Sequence, residues 1–433
     1  MIAAAGRDDA LSEAFLARPR TVAHVVARFL HAQGVRRLWG LTGGHIKPIW
    51  DECSRAGIAV VDVRHEAAAV HMAQAEADLA GGLAVATVTC GPGFTNALTG
   101  IAAAYLHRAP VLVLSALPPG PQLGRGAFEH VPQVEMAAPV TRRAATVDDP
   151  GRILPELAAA TAAALGEDGD PGPVFLDVPI DVLRAEVPAG ALDPALLRRL
   201  VRTPLVPAGA DVAAAAELLR AARRPLVISG RGALDAAPEL SRFLERSGAV
   251  HLETKENRGL LGPSHPAAVT ALRGRSSGEC DLAVVVGRPL NYELAYGSRA
   301  MFAAGPRLLR IGYGPEELSD NRRGDVELRA DPALALAALA EQELVGPERD
   351  LEWAAGLRRE HAARVERLAA RMAAMPAGED GLMHPYRLLH ALNAELPDDA
   401  IVTLDGGDIF SFARIGLRGV RCLDAGAFGC LGV

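Results

Sequence analysis

Lysine is nearly missing from this chain. Lys47 and Lys255 are the two in 433 residues, so 43 of the 45 basic side chains are arginine. Alongside abundant alanine, glycine and proline, that bias reads as the codon economy of a G+C-rich coding sequence before it reads as chemistry. Surplus positive charge is lacking too. Forty-five basic against 52 acidic side chains leave a net charge of −7, which argues against binding a nucleic-acid phosphate backbone. Cysteine is sparse: Cys53, Cys90, Cys280, Cys422 and Cys430 are scattered, with no Cys-x-x-Cys pair. That spacing disfavours a zinc site and a disulfide framework, and no metal ligand set is visible in it. No apolar run reaches the roughly 18 residues of a transmembrane helix. Asp8, Asp9 and Glu13 stand where a secretory signal would carry its apolar segment. The expectation is a cytoplasmic, globular protein with no membrane and no nucleic-acid partner.

What is present supports a large core. Half the residues are hydrophobic and 22% are charged, a balance that argues against disorder. The length predicts two or three domains at roughly 150 residues each. From Thr21 to Pro188, short apolar stretches at 37–41, 58–63, 83–89, 110–115 and 174–178 alternate with helical patterns at 67–80 and 96–106. Such alternation predicts βαβ units and a mainly parallel sheet. A linker bearing Pro188, Pro194, Pro204 and Pro207 follows. The alternation then resumes over 210–344, with strands expected at 225–229, 249–253, 281–286 and 307–311. A charged helix over 350–375 reads as a solvated connector. A third α/β segment opens at His384, with a helix over 385–396 and a strand over 400–404. It leads through Asp405-Gly406-Gly407-Asp408 into another helix and closes on Gly426-Ala427-Phe428-Gly429-Cys430-Leu431-Gly432-Val433.

Four strand–helix junctions carry candidate chemistry. Arg64-His65-Glu66 precedes an apolar helix, and a carboxyl group in apolar surroundings can hold or share a proton near neutral pH. The plain alternative is an acid favoured by the helix macrodipole. In Cys90-Gly91-Pro92-Gly93-Phe94-Thr95-Asn96 the glycines let backbone approach a ligand. Thr95 or Asn96 is the expected helix cap; the alternative is an ordinary turn. Gly40-Leu41-Thr42-Gly43-Gly44-His45 is a third such turn, and three glycine-rich strand ends would share the ligand-binding edge of one sheet. Gly230-Arg231-Gly232 lacks the third glycine of a dinucleotide fingerprint, since position 235 is Asp, so an oxidoreductase built on it is the weaker alternative.

Order and spacing together say more than any one piece. The chain resembles the thiamine-diphosphate-dependent acetolactate synthase superfamily, which includes acetolactate synthase large subunits, acetolactate synthase-like proteins and 2-hydroxyacyl-CoA lyases. The matching text is Gly34-Val35 through Gly43-Gly44, Arg64-His65-Glu66, Gly91-Pro92-Gly93 with Thr95-Asn96, and Pro139-Val140-Thr141. It continues with Gly259 before His265-Pro266, Asp281 to Gly287, Asp405-Gly406-Gly407 and the closing Gly-x-Phe-Gly-x-Leu-Gly. Gly43-Gly44-His45-Ile46 looks closest to the acetolactate synthase-like and 2-hydroxyacyl-CoA lyase branch.

The resemblance implies three doubly wound α/β domains: a pyrimidine-binding domain over 20–188, a central Rossmann-like domain over 208–345, and an incomplete diphosphate-binding domain over 380–433. It implies a homodimer or tetramer with the cofactor between subunits, and a small-molecule substrate. It places Glu66 at the pyrimidine N1′ as the catalytic proton relay, and Pro92 and Asn96 along the pyrimidine pocket. Gly406, Gly407 and Asp408 fall at the diphosphate turn. The Gly429 carbonyl falls opposite the 4′-amino group, and Leu431 is the apolar wedge that keeps the cofactor bent. FAD or an adenine nucleotide in the central domain is a further implication.

The sequence also departs from the pattern. Ala75, Glu76 and Asp78 replace a glycine, an aromatic and an arginine expected to pack at the dimer contact. Phe128-Glu129-His130 puts a carboxylate where an amide usually faces the reacting centre, which implies a substrate polarity unlike that of an acetolactate synthase. Gly-Asp-Gly followed by Asn-Asn, the family's anchor for Mg2+ and diphosphate, is absent. Burying a diphosphate without that anchor is costly. The expectation is therefore weak cofactor binding by this chain, truncated ahead of the anchor, with an inactive fragment as the alternative to an enzyme.

Overall fold

The structure is a computed structural model. It describes residues 18, 20–167, 169–262, 264–376, 378, 381–418 and 421–432. The acidic N-terminal residues Asp8, Asp9 and Glu13, and Val433, lie outside the described residues. The chain forms two compact units, Met1–Thr203 with Ala427–Val433, and Pro204–Gly426.

In the first unit, small and β-branched residues build a six-stranded sheet from β1 (Arg37–Gly40), β2 (Ala59–Asp62), β3 (Ala84–Val88), β4 (Val111–Leu117), β5 (Arg143–Thr146) and β6 (Val174–Pro179). The strand order is β2-β1-β3-β4-β6-β5, and every pairing is parallel. Period-2 alternation divides the central strands between two cores. Val85, Leu112 and Leu114 pack on one face beneath helices α1 (Val22–Ala32) and α2 (Lys47–Arg55). Ala84, Ala86, Val88, Val111 and Val113 pack on the other against α3 (Glu66–Ala80) and α4 (Pro92–His107). A parallel sheet buried on both faces is the doubly wound arrangement expected from the sequence.

The second unit repeats the pattern with β7 (Pro225–Ser229), β8 (Val250–Glu253), β9 (Leu282–Val286), β10 (Arg307–Gly312) and β11 (Val326–Arg329), in the order β11-β10-β9-β7-β8. A small third sheet pairs β12 (Ile401–Leu404) with β13 (Arg421–Asp424) in parallel. Asp350 caps the 23-residue helix Leu351–Ala373 by accepting from Trp353 N. Among the described residues, no helix is long and apolar enough to cross a membrane.

Three strands differ from the sequence reading: β5, β11 and β13 were not expected. The proline-bearing linker holds two short 3-10 turns, Ala189–Ala191 and Pro194–Leu197. α4 also begins four residues early. Pro92 occupies its first turn, where a preset φ and a missing N–H cost nothing. Thr95 and Asn96 are therefore inside the helix and do not cap it.

Candidate active site

The order of the first sheet reverses between β1 and β3, which lie side by side with Gly40 opposite Thr87. The crevice beyond the carboxyl ends at such a switch point is the place where open α/β sheets bind ligands. Turns after β1, β2, β3 and β4 deliver His45, Glu66, Cys90 and Glu129 to this edge.

Glu66 opens α3. Its N-cap is His65, whose Nδ1 accepts from Ala67 N at 3.2 Å. The Glu66 side chain is buried, and its Oε2 accepts from Asn96 Nδ2 at 3.0 Å. Oε1 has no other hydrogen bond among the described residues. A methyl group added at Gly93 would meet Thr89 Cγ2 at 2.7 Å and Glu66 Oε1 at 3.3 Å. Bare backbone is thus needed beside the carboxylate. Of the residues expected at the pyrimidine, the structure brings Glu66 and Asn96 into contact. Pro92 lies exposed at the start of α4.

Beside this pair, His45 Nδ1 lies 3.3 Å from Cys90 Sγ, and Cys90 Sγ lies 3.7 Å from Glu129 Oε2. His45 Nδ1 and Glu129 Oε2 are also 3.7 Å apart. Burial, and then the Glu129 charge, push the Cys90 thiol up to about 12, so it stays protonated at neutral pH. The support beneath is a buried polar chain: Gln133 Oε1 accepts from Gly91 N at 3.1 Å, and Gln133 Nε2 donates to Asp177 Oδ2 at 3.0 Å. Burial raises the Asp177 carboxyl to about 6.

Gly429 and Leu431 belong to the first unit. Gly429 adopts φ +69°, Leu431 is 75% exposed, and Cys430 Sγ between them lies 3.7 Å from His71 Nε2 on α3. Gly406, Gly407 and Asp408 belong to the second unit. Gly406 N donates to Asp405 Oδ1 at 2.6 Å, and Gly407 leads the Asp408–Gly416 helix with no side-chain cap.

Glu76, a departure noted above, ties α3 to its own sheet. It accepts from Trp39 Nε1 at 2.6 Å and pairs with Arg37 at 2.9 Å. In the second unit, the Gly230-Arg231-Gly232 turn spends its N–H groups internally. Gly230 N donates to Val286 O, Gly232 N to Gly287 O, and Arg231 N to Glu256 Oε2. A diphosphate needs such groups unspent, so this turn does not fit a nucleotide. Sequence reasoning noted His45, Cys90 and Glu129 separately, in three different segments, and did not join them.

Comparison with known proteins identifies the family. The thiamine pyrophosphate enzyme N-terminal TPP-binding domain matches residues 20–136, and the central domain of the same enzymes matches residues 212–339. The chain is 32% identical to 2-hydroxyacyl-CoA lyase 2 of Homo sapiens over 449 residues, which cover 94% of this chain and 70% of that protein. It is 30% identical to 2-hydroxyacyl-CoA lyase 2 of Caenorhabditis elegans over 471 residues, 98% of this chain and 72% of that one. It is 31% identical to the acetolactate synthase large subunit IlvG of Mycobacterium tuberculosis over 419 residues, 94% and 73% respectively. With a buried carboxylate at the switch-point edge, two matching domains and relatives aligned along nearly its whole length, the chain belongs to the thiamine pyrophosphate enzyme family.

Proposed function

We propose that this protein makes or breaks a carbon–carbon bond with thiamine diphosphate, decarboxylating a 2-keto acid and transferring the activated aldehyde in the manner of an acetolactate synthase. The observation that carries this reading is Glu66, a buried carboxylate with one oxygen held by Asn96 and the other beside side-chain-free Gly93. When bound, thiamine diphosphate supplies a thiazolium that stores the electron pair of the carbanion. Glu66 holds or passes a proton at the pyrimidine N1′, and Asn96 fixes its orientation. Pro92 lines the same pocket. The Gly429 carbonyl accepts from the 4′-amino group, and exposed Leu431 offers the apolar wedge. Gly406, Gly407 and Asp408 receive the diphosphate at an uncapped helix start. The domain division 20–188, 208–345 and 380–433, and a homodimer with the cofactor between subunits, go with this reading. Five free thiols support a reducing, cytoplasmic setting. The 433 residues contain neither Gly-Asp-Gly nor Asn-Asn, so they do not fit the family's Mg2+ anchor, and Mg2+ is assigned no residue of this chain.

A second reading, cleavage of a 2-hydroxyacyl-CoA, is favoured by Glu129. This carboxylate, beside His45, stands where an amide is expected, and lyases of that name are among the relatives. The two readings separate in one assay. Purified protein with thiamine diphosphate and Mg2+ is given pyruvate, or a 2-hydroxyacyl-CoA, and products are followed by mass spectrometry. The first reading expects a 2-acetolactate product. Aldehyde and formyl-CoA in its place select the second, and turnover of neither refutes both.

A further inference from the structure

We propose that His45, Cys90 and Glu129 form a three-ligand site for a divalent transition-metal ion of the zinc class, with a fourth position open. Each offers a donor that such ions take: an imidazole nitrogen, a thiolate sulfur and a carboxylate oxygen. The three donor atoms stand at 3.3, 3.7 and 3.7 Å from one another. Around a tetrahedral ion with Zn–S of about 2.3 Å and Zn–N and Zn–O of about 2.0–2.2 Å, the ligand–ligand edges are about 3.3–3.6 Å. All three edges of one tetrahedral face are therefore present together, to within a few tenths of an ångström. Sidechain rotation of modest size closes the remainder.

The backbone supports the same conclusion. His45 and Cys90 come from the turns that follow β1 and β3, and Glu129 comes from the longer connection between β4 and Gln133. Gly43 lies so close to Thr89 that a Cβ would meet its Cβ at 2.4 Å, which brings the His45 turn onto the Cys90 strand. Gly91, at φ +61°, leaves no room for a side chain: a Cβ would meet the Glu129 carbonyl oxygen at 2.6 Å. Glu129 itself has φ +60°, a left-handed conformation that a non-glycine residue keeps when its surroundings enforce it. The side chains of His45 and Glu129 are 18% and 24% exposed, while Cys90 is buried. The partial exposure of His45 and Glu129 gives an ion an entry path from the solvent side. Neutral imidazole, thiolate and carboxylate exactly offset a divalent charge only if the thiol proton leaves, so binding releases one proton to solvent and involves no oxidant or reductant. The spacing of the cysteines along the chain gave no sign of this site, because its ligands are 45 and 39 residues apart.

The proposal stands apart from the role given to Glu66 and is tested without turnover. Untagged full chain is stripped with chelator, kept reduced and titrated with Co2+, then with Zn2+ against a chromophoric chelator. One equivalent of Co2+ should give a thiolate-to-cobalt charge-transfer band and the visible bands of a tetrahedral site. Cys90→Ser should abolish the charge-transfer band. His45→Ala and Glu129→Gln should each weaken Zn2+ binding by about 100-fold or more, since loss of even an outer partner typically costs 10–100-fold. Cys280→Ser, a buried thiol of the other unit, should change nothing. Circular dichroism checks that each variant folds; if Cys90→Ser does not, Glu129→Gln on its half-exposed loop decides. Absence of the band in the unmutated protein, its survival in folded Cys90→Ser, or unchanged Zn2+ affinity in Glu129→Gln overturns the site.

Discussion

A carboxylate at the first position of a helix is favoured by the macrodipole, but a buried one needs a partner as well. Glu66 has Asn96; the sequence offers Thr95 or Asn96 as a cap and, by resemblance, Asn96 at the pyrimidine pocket, but not its bond to Glu66. The presence of Pro92 at the helix start decides against the cap. Asp177 is the residue whose titration is most open to measurement. Its carboxyl rises from an ordinary 3.8 to about 6 on folding, chiefly through burial. A raised folded-state pKa gives stability that is complete below about pH 4 and is lost as pH climbs through about 6. Asp177→Asn keeps an acceptor for Gln133 and has no charge to bury. Relative to the unmutated protein it should gain stability between pH 4 and pH 7, by up to ~3 kcal/mol. Urea unfolding midpoints of both proteins at the two pH values check this; a difference independent of pH contradicts it.

At the level of elements, the two large sheets were legible because their central strands are unbroken apolar runs, such as Leu282–Val286. The missed strands are short and mix small, apolar and charged residues: Arg-Ala-Ala-Thr, Val-Glu-Leu-Arg and Arg-Cys-Leu-Asp. β5 and β11 lie at sheet edges, where one neighbour suffices and no apolar run is needed. The placement of the candidate site depends on α3 and α4, since Glu66 is on one and Asn96 on the other. Their close approach is set at Gly100, where a Cβ would meet Val70 Cβ at 2.7 Å and the Ala67 carbonyl at 2.9 Å. Gly100→Ala must push backbone apart. It should cost about 1–3 kcal/mol, the usual range for overpacking, and should weaken thiamine diphosphate binding in parallel. Thermal unfolding and calorimetry measure the two effects; an unchanged melting temperature would remove Gly100 from this role.

For the molecule as a whole, family membership was legible in the order of short motifs, although no single motif was decisive. The central-domain turn shows the limit of such reading: Gly230-Arg231-Gly232 resembles a phosphate cradle in text, yet its N–H groups are spent on Val286, Glu256 and Gly287. The missing Gly-Asp-Gly and Asn-Asn have a consequence for the whole chain. A diphosphate is ordinarily held through a divalent ion with oxygen ligands, and here that anchor is lacking. Calorimetry with and without Mg2+ should therefore show weak thiamine diphosphate binding that the ion tightens little, whereas strong Mg2+-dependent tightening contradicts this. The most direct test of the proposed chemistry is C2-proton exchange of thiamine diphosphate, followed by NMR at saturating cofactor. The unmutated protein should accelerate exchange over free cofactor, and Glu66→Gln should lose about 100-fold or more of that acceleration, the scale of a positioned proton-transfer group. Equal exchange in the two proteins would contradict the role given to Glu66.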